Sequence, residues 1–306
     1  MSTRRQFLQG AASLAALAAL GPGVARPGLA AEPLLQRAIP SSGERLPVIG
    51  LGTSRTFDAT LAAETLDPLL QVVRTFFEGG ARLIDTAPSY GRAEAVSGEL
   101  VARSGHQGEV FWATKVSSRG LAAGRRQLEQ SFAALRTARL DLVQVHNLID
   151  TGTQLGLLRE LREEGRVRYL GITHYLDAAH DDLLATLGRE KVDVVQLNYA
   201  VGERNAERRL LPYCRDHGIA VLVNRPFQRG TLFQKVRGQQ VPAWAVEELQ
   251  ATSWAQLMLK YLLADEAVTA VLPATSNPRY MADNLAAGRG PLPDATQRAR
   301  ILEAFA

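Results

Sequence analysis

An α/β protein built as one (β/α)8 TIM barrel is what this 306-residue sequence predicts. Three observations point there. Apolar strand-like runs alternate with helical periodicities through most of the chain, the pattern of βαβ units and a parallel sheet. Eight such runs occur, enough to close a barrel without edge strands. Polar residues also end three successive runs one repeat apart: Asp85, Lys115 and His146 lie 30 and 31 residues from one another. Side chains spaced in this way emerge at one rim of a parallel barrel, the C-terminal rim where barrel enzymes carry their chemistry.

The elements follow in order. Residues 46–51 read as the first strand, after the polar turn Ser41-Ser42-Gly43-Glu44, and a hairpin there could plug the bottom of the barrel. Leu66, Leu69, Leu70, Val73, Phe76 and Phe77 recur at helical spacing until Gly79-Gly80 stops the helix. Strand two, residues 81–84, delivers Asp85; strand three, 110–114, delivers Lys115; strand four, 140–145, delivers His146. Leu155, Leu158 and Leu161 mark the next helix, closed by Gly165. Strands five to eight fall at residues 167–172, 192–197, 219–223 and 268–272. Residues 228–250 break this rhythm. With Gly230, Gly238 and Pro242 they read as a long loop on the active rim, and such loops in compact domains are usually functional. The barrel is assigned to residues 45–290, with 291–306 as a C-terminal helix or tail, and no interdomain linker is found.

Hydrophobic content of 46% and 22% charged residues fit a packed globule. The formal charge of +4 comes largely from the leader. Without Arg4, Arg5 and Arg26, the chain from residue 31 carries 32 cations against 31 acids, a net +1. Nothing in that balance favours a nucleic acid or an anionic membrane as partner. Residues 1–30 combine a basic start, a mild Ala/Leu-rich centre and the small-residue site Gly28-Leu29-Ala30, so they read as a cleavable secretory signal. Arg4-Arg5 followed by Phe7-Leu8 looks like a twin-arginine (Tat) signal, implying the Tat export machinery as a partner and a periplasmic location. The alternative is an uncleaved segment that anchors the chain to the membrane. The single Cys214 allows no intrachain disulfide and reads as a buried small hydrophobe.

Within Ile84-Asp85-Thr86-Ala87-Pro88-Ser89-Tyr90-Gly91, a Pro/Gly turn presents Tyr90 five residues after Asp85. A free phenol, with a pKa of about 10, is a poor acid at neutral pH. A nearby ammonium lowers that pKa, and a carboxylate beside the ammonium holds it charged and in place. Such a phenol can hand a proton to a carbonyl oxygen as hydride reaches the carbon, while a neutral histidine orients the same oxygen. Each of these residues alone has an ordinary structural explanation; four at matched spacing do not.

In residue type, order and spacing, Asp85, Tyr90, Lys115 and His146 resemble the catalytic tetrad of the aldo/keto reductase family. That resemblance implies hydride transfer between a nicotinamide and an aldehyde or ketone, or back from an alcohol. It also implies NADP(H) ahead of NAD(H), a small-molecule carbonyl or alcohol substrate, and no metal. No Gly-x-Gly-x-x-Gly run follows any strand, so a Rossmann-type site is not supported. The family holds the dinucleotide on the barrel rim instead. Gly171-Ile172-Thr173-His174 and Gln196-Leu197-Asn198-Tyr199 resemble its fifth and sixth strand ends, so Thr173, His174 and Gln196 would bond the carboxamide. By the same resemblance Thr53, Asn224, Arg225, Thr275, Arg279 and Asn284 join the cofactor set, with Asp283 a further adenosine-end contact.

Two positions depart from the family pattern. Asn224 stands where an aromatic ring usually stacks on the nicotinamide, though Arg225 could pair with the pyrophosphate. Ala274 stands where many members place a lysine against the adenosine 2′-phosphate, which weakens the inference of NADPH over NADH. Two other functions remain open: a redox-sensing module that binds the cofactor with little turnover, and a cofactor-free hydrolase or isomerase using Asp85 and His146.

Overall fold

The computed structural model describes residues 32–305, so the leader lies outside the described residues. Strands β1 (Gln36–Ala38) and β2 (Arg45–Pro47) form an antiparallel hairpin. Its turn is closed by the Ser42 and Gly43 amides donating to the Ile39 carbonyl, with Gly43 at φ 76°. Eight parallel strands follow: β3 (Leu51–Gly52), β4 (Leu83–Asp85), β5 (Phe111–Val116), β6 (Leu140–His146), β7 (Val167–Thr173), β8 (Val194–Asn198), β9 (Ala220–Asn224) and β10 (Val268–Val271). Each pairs with its sequence neighbour. Parallel bridges Ile49↔Val271 and Gly52↔Ala274 join first to last and close the ring. The predicted barrel is the observed one.

Strand residues alternate between two apolar clusters, as the two-residue period of a strand requires. Leu83, Phe111, Ala113, Leu142, Tyr169, Val194, Leu222 and Ala270 fill the barrel interior, together with Ile39 and Leu46 from the hairpin. Ile84, Trp112, Val143, Val145, Leu170, Ile172, Val195 and Val223 face the helical layer. The hairpin plugs the barrel at the strands' N-terminal ends. Ser42 Oγ lies 2.7 Å from Tyr169 Oη, and Tyr169 Oη donates to Glu44 Oε2 at 2.7 Å. Arg168, at the start of β7, pairs with both Glu44 and Asp141.

The same alternation fixes the upper layer. Asp85 is in phase with Leu83, Lys115 with Ala113, and Gln144 and His146 with Leu142. Thr173 follows Tyr169 and Gly171 in phase, Gln196 follows Val194, and Asn224 follows Leu222. An apolar floor therefore carries a polar ceiling on the same inward faces.

Three expectations need correction. The predicted first strand at 46–51 is two pieces. Arg45–Pro47 pairs with the hairpin, the Val48 amide makes the last bond to Leu35, and the chain then turns into the wall at Ile49. Residues 228–250 are not an open loop: they hold helices Thr231–Lys235 and Ala243–Leu249, anchored by buried Leu232, Ala245 and Leu249. Asp85, Lys115 and His146 are the closing or near-closing residues of their strands rather than the first residues after them. The helix Ala63–Glu78 buries Leu66, Leu69, Val73, Phe76 and Phe77 as its periodicity predicts, and Val72 in place of Leu70. The tail forms the helix Ala295–Glu303, started by a capping box between Asp294 and Gln297. Cys214 is buried.

Candidate active site

A cavity of about 600 Å³ opens at the C-terminal rim. That is room for a small substrate together with part of a larger ligand. Its wall includes Thr53, Asp85, Tyr90, His146, Thr173, Gln196, Asn224 and Arg225. Lys115 lies directly beneath, fully buried.

Lys115 Nζ donates to Asp85 Oδ1 at 2.9 Å, to Asp85 Oδ2 at 2.7 Å and to the Thr86 carbonyl at 2.8 Å. Its charge lies 5.1 Å from the Tyr90 ring centroid. Burial opposes that charge, but Asp85 and Tyr90 outweigh it and hold the ammonium above the ordinary lysine range. Asp85 Oδ1 also accepts from Gln144 Nε2 at 3.2 Å and from Gln196 Nε2 at 2.7 Å. Three side chains thus saturate one carboxylate at the centre of the barrel.

Tyr90 departs from expectation in its direction of shift. Burial raises the phenol above its ordinary value; Lys115 pulls it down, and Asp85 pushes it up. The net direction is upward because burial is the largest influence and Asp85 adds to it, against the pull of Lys115. Tyr90 is therefore held as the proton-bearing form throughout the neutral range. The His146 ring meets Tyr90 edge-on, with centroids 6.0 Å apart, and its Nδ1 lies 3.4 Å from Ser89 Oγ. Burial, then Lys115 and His174, push His146 down to about 3, so the imidazole is neutral.

A pH dependence follows with a definite sign. The folded pKa of His146 lies below the unfolded one, so the unfolded chain takes up the proton first as pH falls. The stabilisation is fully present above about pH 6.5 and is lost as pH falls toward 3. It should amount to a few kcal/mol. Urea unfolding at a series of pH values checks it: stability of the wild type should fall more steeply below pH 6.5 than that of a His146→Asn variant. Equal slopes would place the imidazole in solvent.

The cofactor candidates divide into two groups. Thr173 Oγ1 donates to Gln196 Oε1 at 3.2 Å, and Asn224 Nδ2 donates to Gln196 Oε1 and to the His174 carbonyl, both at 3.3 Å. Arg225 Nη1 donates to the Tyr175 carbonyl at 2.8 Å. With Thr53, whose amide and hydroxyl both donate to the Asp85 carbonyl, these residues line one cavity. His174, Thr275, Arg279 and Asn284 do not line it. His174 Nδ1 accepts from the Leu176 amide, and its ring stacks on Tyr175. Thr275 Oγ1 accepts from the Asn277 amide, Asn277 caps the helix Pro278–Ala286, Arg279 is exposed in its first turn and Asn284 is buried further along. Asp283 is taken up structurally, accepting from Ser253 Oγ and Gln256 Nε2, each at 2.6 Å.

Some residues of the site carry no signal that marks them out in the sequence. Gln144, buried beneath the cavity on Asp85, is two residues from His146, and strand alternation places it inward. On the wall, Arg55, Asn147, Phe227 and Arg229 come from irregular or single-turn rim segments, and Phe233 from the short helix Thr231–Lys235, none of which carries a periodic signal. Arg55, Asn147, Arg225 and Arg229 all hold left-handed backbone, with φ between 52° and 67°. That conformation is uncommon outside glycine and concentrates at functional sites.

The sequence pattern of the aldo/keto reductase family matches residues 48–302, which is the whole barrel. The chain belongs to the aldo/keto reductase family. It is 27% identical over 214 residues to the aldo-keto reductase YhdN of Bacillus subtilis, covering 65% of this chain and 64% of that protein. It is 28% identical over 208 residues to an NADH-specific methylglyoxal reductase of Escherichia coli, covering 59% and 61%. The aligned part thus spans a little over three fifths of the length of these two relatives. An aldo/keto reductase of Klebsiella pneumoniae, solved with NADP and acetate, superposes with a TM-score of 0.73 at 24% identity, over 86% of this chain and 93% of that one. At that identity the superposition speaks for the fold.

Proposed function

We propose that this aldo/keto reductase is an NAD(P)H-dependent carbonyl reductase with Tyr90 as proton donor. The observation that carries the reading is the buried ion pair. Lys115 and Asp85 sit under a protonated phenol, with a neutral imidazole facing it, on the wall of a cavity sized for a small molecule.

A bound reduced nicotinamide would supply the hydride. Tyr90 Oη donates a hydrogen bond to the carbonyl oxygen and passes its proton there as the carbon is reduced. His146, neutral, holds that oxygen without competing for the proton. Lys115 stabilises the phenolate left behind, and Asp85 keeps Lys115 charged. In the alcohol-to-carbonyl direction the same proton returns to Tyr90.

The residues present fit the nicotinamide end. Asn224 Oδ1 and Arg225 Nε are buried beside the cavity with no partner among the described residues. The first is an acceptor open to a carboxamide N–H and the second a donor open to a phosphate oxygen. Thr173 and Gln196 flank the same place, while Thr275, Arg279 and Asn284 would serve the adenosine end. One relative is NADH-specific and one structural neighbour holds NADP, so either nicotinamide is consistent with the family. With Ala274 on the wall in place of a cation, discrimination should be weak. A lost charge-assisted bond of about 1.5–3 kcal/mol corresponds to about 10- to 150-fold in preference.

The test is multiple-turnover oxidation of NADPH and of NADH by a series of short aldehydes, with both cofactors titrated by fluorescence quenching. Turnover with a preference below about a hundredfold is expected, since only one such contact is at stake. Tight binding with a single turnover at most would favour the redox-sensing module, a reading that Asn224 in place of a stacking ring keeps open. Export by the twin-arginine route rests on residues 3–30 alone. N-terminal sequencing of the exported chain, expected to begin at Ala31, tests it.

A further inference from the structure

We infer that Ser89 is a positioning residue of this active site: its hydroxyl donates to His146 Nδ1 and so keeps the ring proton on Nε2, the nitrogen that meets the carbonyl oxygen. It rests on the reductase reading and adds to that reading the residue that aims His146.

The turn that carries Tyr90 puts the hydroxyl there. The Tyr90 amide donates to the Ala87 carbonyl at 3.0 Å, closing a β-turn with Pro88 and Ser89 as its central residues. Pro88 suits the first of these positions, because its ring presets the φ that the turn needs. Both flanks of the turn are held. The Thr86 amide donates to the Ala113 carbonyl at 2.9 Å, and the Arg92 amide donates to Asp58 Oδ1 at 3.0 Å. Ser89 therefore stands at the tip, exposed and on the cavity wall, directly before the proton donor in the chain. Its Oγ lies 3.4 Å from His146 Nδ1 and makes no other bond among the described residues.

Burial, with Lys115 and His174, holds the imidazole neutral, so it carries a single ring proton, on either Nδ1 or Nε2. Which nitrogen bears it decides what the ring can do. A proton on Nε2 can be donated to a carbonyl oxygen, whereas a lone pair there would repel that oxygen. Among the described residues, Ser89 Oγ is the one group bonded to the ring. Nε2 has no partner and is not closed off inside the protein, so it opens on the cavity whose wall the ring lines. A hydroxyl can donate or accept. With a carbonyl oxygen at Nε2, however, just one arrangement bonds both ring nitrogens: Ser89 donates to Nδ1, and the Nε2 proton is donated to the substrate. Without the Ser89 hydroxyl, Nδ1 has no donor, and the proton can settle there at the expense of the bond that the reaction uses.

The experiment uses Ser89→Ala, which removes the hydroxyl, and Ser89→Thr, which keeps it. Ser89→Ala should lower kcat for an aldehyde by about two- to tenfold, the range that one neutral hydrogen bond carries, and Ser89→Thr should restore most of the loss. In a His146→Asn background the Ser89→Ala change should cost nothing further, because the group it acts through is gone. A Ser89→Ala variant with wild-type kcat, or one that loses the same factor in both backgrounds, overturns the inference and leaves the reductase reading standing. The tautomer itself is read from long-range proton–nitrogen correlation NMR spectra of protein with isotope-labelled histidine, saturated with NADP+ and acetophenone, a pair that cannot exchange hydride. His146 should show a protonated Nε2 and a bare Nδ1 in the wild type, and a population moved toward protonated Nδ1 in Ser89→Ala. A proton on Nδ1 in the wild type, or a spectrum that Ser89→Ala leaves unchanged, overturns the inference. If no aldehyde turns over, the reductase reading has failed, and the spectra alone decide the role of Ser89 by the same two outcomes.

Discussion

Tyr90→Phe should lower kcat for carbonyl reduction by about 10²- to 10⁴-fold, the usual worth of a positioned general acid, while leaving nicotinamide affinity nearly unchanged. Only the hydroxyl is lost. The ring can keep its edge-on place against His146 and its position over Lys115, so the cavity retains its shape. Burial keeps the Tyr90 phenol protonated ahead of the step, and the phenolate left by each transfer has to regain a proton before the next turnover. Steady-state rates on an aldehyde the wild type reduces, with fluorescence titration of the cofactor, provide the check. Near-normal kcat in the variant would move the proton to another donor and remove Tyr90 from the chemistry.

The second large effect is on stability. Lys115 and Asp85 are both buried, and breaking a buried pair from one side leaves the other charge without a counter-ion, at about 3–5 kcal/mol. The two sides are not equivalent. Lys115→Met leaves Asp85 with the Gln144 and Gln196 amides as donors, whereas Asp85→Leu leaves the Lys115 ammonium only the Thr86 carbonyl. Asp85→Leu should therefore be the more damaging in urea unfolding. The double variant, with neither charge, should recover much of the stability lost by Asp85→Leu and none of the activity. That combination separates a pair retained for chemistry from one retained for folding. A double variant no more stable than Asp85→Leu would mean that the pair organises the barrel itself.

The ring of strands and the meeting of Asp85, Tyr90, Lys115 and His146 could be read from the sequence for the same reason. A strand buried on both faces is a short apolar run, and a polar side chain at its end interrupts that run. Asp85, Lys115 and His146 were visible because they break apolar runs one repeat apart. Tyr90 was visible because Pro88 and Gly91 mark the turn that carries it. Alternation also contained Gln144, in phase with His146, but an amide between two valines gives no charge signal. The first strand was misjudged because the apolar run 46–51 serves two structures, the hairpin plug and the barrel wall, and the change of partner at Val48 leaves no mark in composition. The helices in 228–250 were missed because they are short and flanked by Gly230, Gly238 and Pro242, and their stability comes from burying Leu232 and Leu249 rather than from periodicity. Arg55 and Arg229 owe their place to left-handed backbone set by tertiary contacts, which local sequence does not encode.

In the proposed reaction, hydride passes directly from a nicotinamide to a carbonyl carbon in the cavity beside Tyr90. Reduction of an aldehyde with NADPH deuterated at the transferring position of C4, followed by mass spectrometry of the alcohol, tests it most directly. One deuterium on the former carbonyl carbon is the expected result, with incorporation suppressed in Tyr90→Phe under the same conditions. An alcohol without deuterium, or a protein that binds the cofactor and returns the aldehyde unchanged, would contradict it.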